Sequence, residues 1–219
     1  MLTDIFYRTE ILWRMLFDAP SLFAKINALP WYQDTLQQWV TSVGCQPGDT
    51  LLELGCATGR LSQFIARNGA TVYAVDKSQR MLAQAVTNNS AGVTYTNADA
   101  TALPFADHHF DTVLAASLIN SVPKPLQVLT EMKRVCRQHG VIAILVANKS
   151  FTDSAAMNLV NQLGLTGFSR AALLAWHQNA TKMSLADVTT LFNNTNLAIT
   201  SHNEYLNGMV LTVTAMRRD

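Results

Sequence analysis

Glu53, Gly55 and Gly59 stand close together in the run Leu51-Leu52-Glu53-Leu54-Gly55-Cys56-Ala57-Thr58-Gly59. Apolar residues suited to a buried strand lead into a glycine-bearing turn, and Arg60 to Arg67 then reads as a helix. Glycines in such a turn let the backbone approach a ligand closely. The start of the helix offers unpaired N–H groups and a partial positive charge, which favour an anionic group. The Glu53 carboxylate has the opposite preference and attracts a cation or a hydroxyl donor. A ligand carrying both an amino-acid head and a nucleoside suits this mixture. A dinucleotide fingerprint needs glycine at the first, third and sixth turn positions. Here Ala57 and Arg60 occupy the third and sixth. Alone, the Gly-x-x-x-Gly spacing also fits a plain strand-to-helix turn.

Further polar residues fall where other strands end. Asp76 closes the apolar run Val72 to Val75, at a distance from Gly55 that lets an acid accept hydrogen bonds from ribose hydroxyls. It can also cap the next helix. Asp99, flanked by Ala98 and Ala100, can accept from an exocyclic amino group, or else satisfy nearby backbone N–H groups as a loop aspartate. Ser117 follows the next strand and would sit on the floor of a cleft. The case rests on their sharing one edge.

The elements that must position these residues alternate. Strands are expected at Thr50–Leu54, Thr71–Val75, Val93–Asn97, Phe110–Ala115 and Val141–Ala147, with helices at Gly59–Asn68, Ser78–Thr87 and Pro125–Arg137. Repeated βαβ units imply a parallel sheet covered on both faces, with ligands bound beyond the carboxyl ends where strand order reverses. Before this core, helical patterns cover Thr3–Phe17, with Ile5 in the apolar stripe, then Ser21–Ala28 and Trp31–Val43. Most aromatics of this leader should pack in the interior, and one or two should line a pocket. After the core, Lys149–Thr181 suggests two short helices and Ser184–Phe192 another. Leu197–Tyr205 and Met209–Met216 then flank the hairpin signal Asn207-Gly208. The expected architecture is α/β, doubly wound and Rossmann-like: a mostly parallel seven-stranded sheet, an antiparallel C-terminal hairpin and a helical N-terminal leader. Residues 1–219 read as one domain, divided into a leader (1–45), core (46–147), insertion (148–183) and closing helix with hairpin (184–219).

Composition sets bounds. With 49% hydrophobic and 14% charged residues the chain is globular, and a net charge of +1 gives no footprint for nucleic acid. Cys45, Cys56 and Cys136 lack metal-ligand spacing and read as reduced thiols of a cytoplasmic protein. No signal peptide or membrane span is expected.

Together these features resemble the class I S-adenosylmethionine-dependent methyltransferases, especially the small-molecule, ubiquinone-type branch. The resemblance rests on Leu52 to Gly59, Val75-Asp76 followed by Met81, and Asn97-Ala98-Asp99-Ala100. The run Ala102-Leu103-Pro104-Phe105-Ala106-Asp107, continued by Phe110-Asp111-Thr112-Val113, is its most specific part. It implies methyl transfer from S-adenosylmethionine to a small-molecule acceptor, with S-adenosylhomocysteine as product. Glu53 and Gly55 would hold the methionine end, with Cys56, Ala57 and Gly59 shaping the turn. Asp76 would bind the ribose, Lys77 and Met81 would flank the adenine, and Ala98, Asp99 and Ala100 would surround its amino edge. Ser117 would support the sulfonium. Ala57 departs from the family's commoner glycine and fits if its φ stays negative.

Methyl transfer from a sulfonium is an in-line displacement in which the protein supplies proximity and orientation. A base is needed only for a poorly nucleophilic acceptor. His108, His109 and His139 precede strands, on the edge away from the cofactor, which leaves His177 in the insertion as the candidate base. The segment after Ala116 lacks the Asn/Asp-Pro-Pro-aromatic run used on amide or base nitrogens, and there is no Pro-Cys pair or acidic metal cluster. A silent cofactor-binding subunit with the same fold is the alternative. The sequence leaves the acceptor and the oligomeric state open.

Overall fold

A computed structural model describes residues 2–89 and 91–218, with side chains from Phe6 onward. Ile5, assigned above to the leader's apolar stripe, lies outside the described side chains. The chain opens with helices α1 (Leu2–Phe17), α2 (Ala19–Ile26) and α3 (Pro30–Val43). Pro30 occupies the first turn of α3, where its missing N–H costs nothing, and Gly44 ends it at φ 83°.

The core then alternates β1 (Thr50–Leu54), α4 (Arg60–Arg67), β2 (Thr71–Asp76), α5 (Gln79–Thr87), β3 (Thr94–Asn97), β4 (Phe110–Ala116), α6 (Pro125–Val135) and β5 (Cys136–Asn148). Two helices follow, α7 (Asp153–Gln162) and α8 (Gly167–Asn179), then β6 (Lys182–Met183) and α9 (Leu185–Asn194). The chain closes with β7 (Leu197–Tyr205) and β8 (Val210–Arg217). Leu206, Asn207 and Gly208 all take positive φ in the turn between these last strands, as the Asn-Gly pair anticipates.

The sheet runs β3-β2-β1-β4-β5-β8-β7, parallel except where β8 pairs with β5 and β7. To the seven expected strands it adds β6, two residues long and parallel to the end of β5. The order reverses between β1 and β4, so a crevice opens beyond their carboxyl ends. β5 starts five residues earlier than the apolar run suggests, because Cys136 pairs with Phe110 across an irregularity in β4. Arg137 ion-pairs with Asp111 there.

Each face of the sheet carries its own core. Leu51, Val72, Ala74, Leu114 and Leu145 pack against α3, α4 and the α7–α8 pair. Leu52, Leu54, Val75, Val113 and Ile144 pack against α6 and α9. The period of two along β1 therefore turns Glu53 toward the first layer, where α4 lies. The leader's aromatics divide differently from expectation. Trp31 and Trp39 are buried, but Phe6, Trp13 and Phe17 are exposed.

Candidate functional site

The turn after β1 is bound to its neighbour before any ligand is considered. The N–H groups of Gly55 and Cys56 both donate to the carbonyl of Val75, at 2.8 and 3.1 Å, and Gly59 N–H closes the turn on Cys56 O at 2.8 Å. Gly55 has φ 71°, which strains any other residue, and a Cβ there would lie 3.0 Å from Leu118 Cδ1, which would have to shift. Ala57 also takes positive φ, at 47°. That overturns the condition set above, and the left-handed conformation costs an alanine about 1 kcal/mol. Ala57 is held there because its N–H donates to Asp76 Oδ2 at 2.9 Å.

Asp76, at the end of β2, has its second oxygen on the N–H of Ser78 at 2.8 Å. Each carboxylate oxygen keeps a lone pair for a ligand hydroxyl. The helix cap itself is Ser78, whose hydroxyl accepts from Met81 N–H at 3.3 Å. Asp99 lies in the loop beyond β3, where the N–H and hydroxyl of Thr101 both donate to Oδ1, at 2.8 and 2.7 Å. These hydrogen bonds, the backbone one foremost, hold its carboxyl below the usual range.

Glu53 is only 2% exposed. Burial pushes its carboxyl up to about 7, against the opposing pull of a hydrogen bond from Ser62 Oγ on α4; the charge of Asp76 adds to the rise. Burial likewise drives the Cys56 thiol far above its ordinary value, so it stays a protonated, unreactive packing group. Ser117 follows β4 at φ 53°, its N–H on Leu145 O at 2.7 Å. Its hydroxyl is buried with no hydrogen-bond partner among the described residues. A strained, polar-orphaned residue at the mouth of the reversal point is a mark of a ligand site.

These groups line one cleft of about 540 Å³. Of the residues named from sequence, Glu53, Gly55, Cys56, Ala57, Asp76, Lys77, Met81, Ala98, Asp99, Ala100 and Ser117 all border it. Gly59 does not. A Cβ at Gly59 would fall 2.1 Å from the Tyr95 hydroxyl, so its missing side chain makes room for a phenol from β3 rather than for a ligand. His177 is also elsewhere. It is buried on α8, with Nε2 2.8 Å from Asp153 Oδ1 and its ring edge-on to Phe151. The candidate base is thus a packed tertiary contact of the insertion. His108, His109 and His139 are exposed and outside the cleft.

The opposite wall comes from the leader and α4. Phe23 of α2, Asn27 at its C-terminal cap, Tyr32 and Leu36 of α3, and Arg60 and Phe64 of α4 complete the cleft. Sequence anticipates pocket-lining aromatics in the leader without identifying Phe23 and Tyr32, and gives no signal for Arg60. Tyr32 is braced edge-on by Trp31 and Trp176. Burial pushes its phenol up to about 12, so it stays protonated and remains a hydrogen-bond donor. No group of three or more His, Cys, Asp or Glu among the described residues could hold a metal ion.

The run from residue 52 to 144, which carries the turn and all three acids, matches a family described as a methyltransferase domain. The core is thus similar to methyltransferase domains. The demethylmenaquinone methyltransferase of Renibacterium salmoninarum is 35% identical over 105 residues, 48% of this chain and 44% of that protein. The chain spans about 40% of the length of the first curated relatives it matches. A solved SAM-dependent methyltransferase from Aquifex aeolicus shares the fold at a TM-score of 0.71, with 19% identity over 91% of this chain and 98% of that one. The magnesium protoporphyrin IX methyltransferase of Synechocystis, solved with bound SAH, superposes with a TM-score of 0.67 and 17% identity over 95% of this chain and all of the other. The carboxyl ends of β1 and β4 and the leader thus border one crevice.

Proposed function

We propose that this protein transfers a methyl group from S-adenosylmethionine to a small-molecule acceptor. The observation that carries this reading is the meeting of Glu53, Asp76 and Asp99, from three successive strand ends, in one cleft beside the glycine turn. The donor set fits a nucleoside with an amino-acid tail. Asp76 has lone pairs free for ribose hydroxyls, Asp99 is an ionised acceptor for an amino edge, and Glu53 gains a counter-charge from an ammonium group. The orphaned Ser117 hydroxyl acquires a partner. When bound, S-adenosylmethionine supplies an activated methyl group. The chain's own residues then orient it, exclude water with Phe23, Tyr32, Leu36 and Phe64, and hold the acceptor in line. The volume of the cleft suits a small molecule, within the range of about 300–1,000 Å³ for such sites.

We read residues 1–219 as one domain, since the leader and insertion share a single buried cluster with the sheet. Three unpaired thiols support a cytoplasmic setting. No described helix is long and apolar enough to cross a membrane.

Calorimetry with S-adenosylmethionine tests the reading, with one-to-one binding expected. No heat at high micromolar ligand removes it. Asp76→Ala forfeits two carboxylate hydrogen bonds to ribose, at about 1.5 kcal/mol each, and should weaken binding about 100-fold. Unchanged affinity would place the sugar elsewhere. The second reading, a silent subunit, draws support from the lack of any histidine among the described residues of the cleft. It predicts binding without turnover of any acceptor.

A further inference from the structure

Helix α1 carries Glu10 and Arg14 on its packed side and most of its large apolar side chains outward. Glu10 is mostly covered and shared between Arg14 Nε at 3.0 Å and Lys25 Nζ of α2 at 2.8 Å. Ile11 is buried, and Tyr7 meets Phe168 of α8 edge-on. On the other side, Phe6, Leu12, Trp13, Met15, Leu16 and Phe17 are each more than half exposed, Leu16 at 75%. At 100° per residue these six span an arc of about 200°, into which, among the described side chains, only Arg8 and Thr9 intrude. Side chains of this size at these exposures present roughly 700 Å² of apolar surface, more than the roughly 300–600 Å² of the largest patch on an ordinary monomer.

Two features decide what covers this arc. A partner helix packs along a stripe about 100° wide, which would leave half of the arc in water. A continuous apolar medium covers all of it. The charges bordering it are largely cationic. Arg8 is exposed and Arg80 of α5 holds the Phe17 carbonyl at 3.1 Å, while Arg14 and Lys25 are balanced by Glu10 and Asp18. Asp18 caps α2 through Ser21 N–H and lies 4.0 Å from Arg14 Nη1, so its charge is matched and Arg8 and Arg80 are left without an acid among the described residues. Two copies packed through this face would oppose the same cations, whereas an anionic surface would be attracted.

We propose that the outer face of α1 docks the protein on an anionic lipid bilayer, lying in the headgroup plane with its apolar arc immersed and Arg8 reaching up to the phosphates. Because α2, which α1 packs against, lends Phe23 to the cleft, docking sets the cleft's leader wall beside the membrane.

Flotation with vesicles tests this in the absence of any cofactor, so its outcome is separate from that of the methyl-transfer reading. The full chain should float with phosphatidylcholine vesicles containing roughly 30% phosphatidylglycerol, at least tenfold more than with phosphatidylcholine alone, and less as salt rises. The double variant Trp13→Glu, Leu16→Glu should lose flotation while keeping its circular dichroism and melting temperature, since both side chains are exposed. Leu126→Glu, an exposed apolar position on α6, should float like the parent. The proposal is overturned if the parent fails to float, or if the double variant floats equally well. A parent dimer that the double variant converts to monomer in light scattering would also overturn it, making the face a contact between copies.

Discussion

Replacing Glu53 by glutamine isolates the effect of one buried charge. In the unfolded chain this carboxyl ionises near 4.5, and in the folded protein burial lifts it to about 7. Between those values the native state holds a proton that the unfolded state has lost, so stability falls as pH rises through this window. The gap corresponds to about 3 kcal/mol, present below 4.5 and lost above 7. The group is only 2% exposed, so solvent screening takes little of this away. Glutamine keeps an oxygen for the Ser62 hydroxyl but has no charge to bury. Glu53→Gln should therefore match the parent near pH 4.5 and exceed it at pH 8 by about 3 kcal/mol, which for a chain of this size is roughly 6–12 °C in melting temperature. Urea denaturation across pH 4.5–8 measures the difference directly. A ligand ammonium beside Glu53 would reverse the balance by stabilising its charge. Binding of S-adenosylmethionine near pH 6.5 should then release a proton, visible as a heat that depends on buffer ionisation, and the variant should release none. Parallel stability profiles for parent and variant would refute the reasoning, because they would mean that Glu53 ionises in the folded state as it does in water.

Ala57→Gly should raise stability by about 0.5–1 kcal/mol, the relief of left-handed strain outweighing the added freedom of the unfolded chain. A fall in melting temperature would show that the methyl group packs to advantage. His177→Gln should lower stability by about 1–3 kcal/mol by disturbing a buried, hydrogen-bonded ring. Turnover of any accepted substrate should stay within about twofold, where loss of a general base would cost about 100-fold or more.

Much of the sheet is legible in the sequence because each strand is bounded by a residue with a local reason to be there. Asp76 ends β2, Ser78 caps α5 through its own hydroxyl, and Asn207-Gly208 turns β7 into β8. The acids Glu53, Asp76 and Asp99 are likewise legible, since strand ends in a parallel sheet share one edge. What is not legible depends on the partner rather than on the residue. Ala57 gives no sign of positive φ until the Asp76 carboxylate is seen to hold its N–H. His177 reads as a free imidazole on an insertion until Asp153 and Phe151 are packed around it. The aromatics of α1 read as core because helical periodicity fixes which residues share a face, not which way that face looks. β5 begins at Cys136 only because the backbone of β4 bends to meet it.

The contact between Gly59 and Tyr95 ties two positions thirty-six places apart into a single lock. The phenol occupies the very space that a larger residue at the helix start would need, and its hydroxyl donates to the Gly59 carbonyl at 3.3 Å. Anyone reshaping this protein by directed evolution should randomise the two sites jointly. Varied singly, Gly59 would look immutable, because a side chain there meets the phenol as well as the strain of φ 75°.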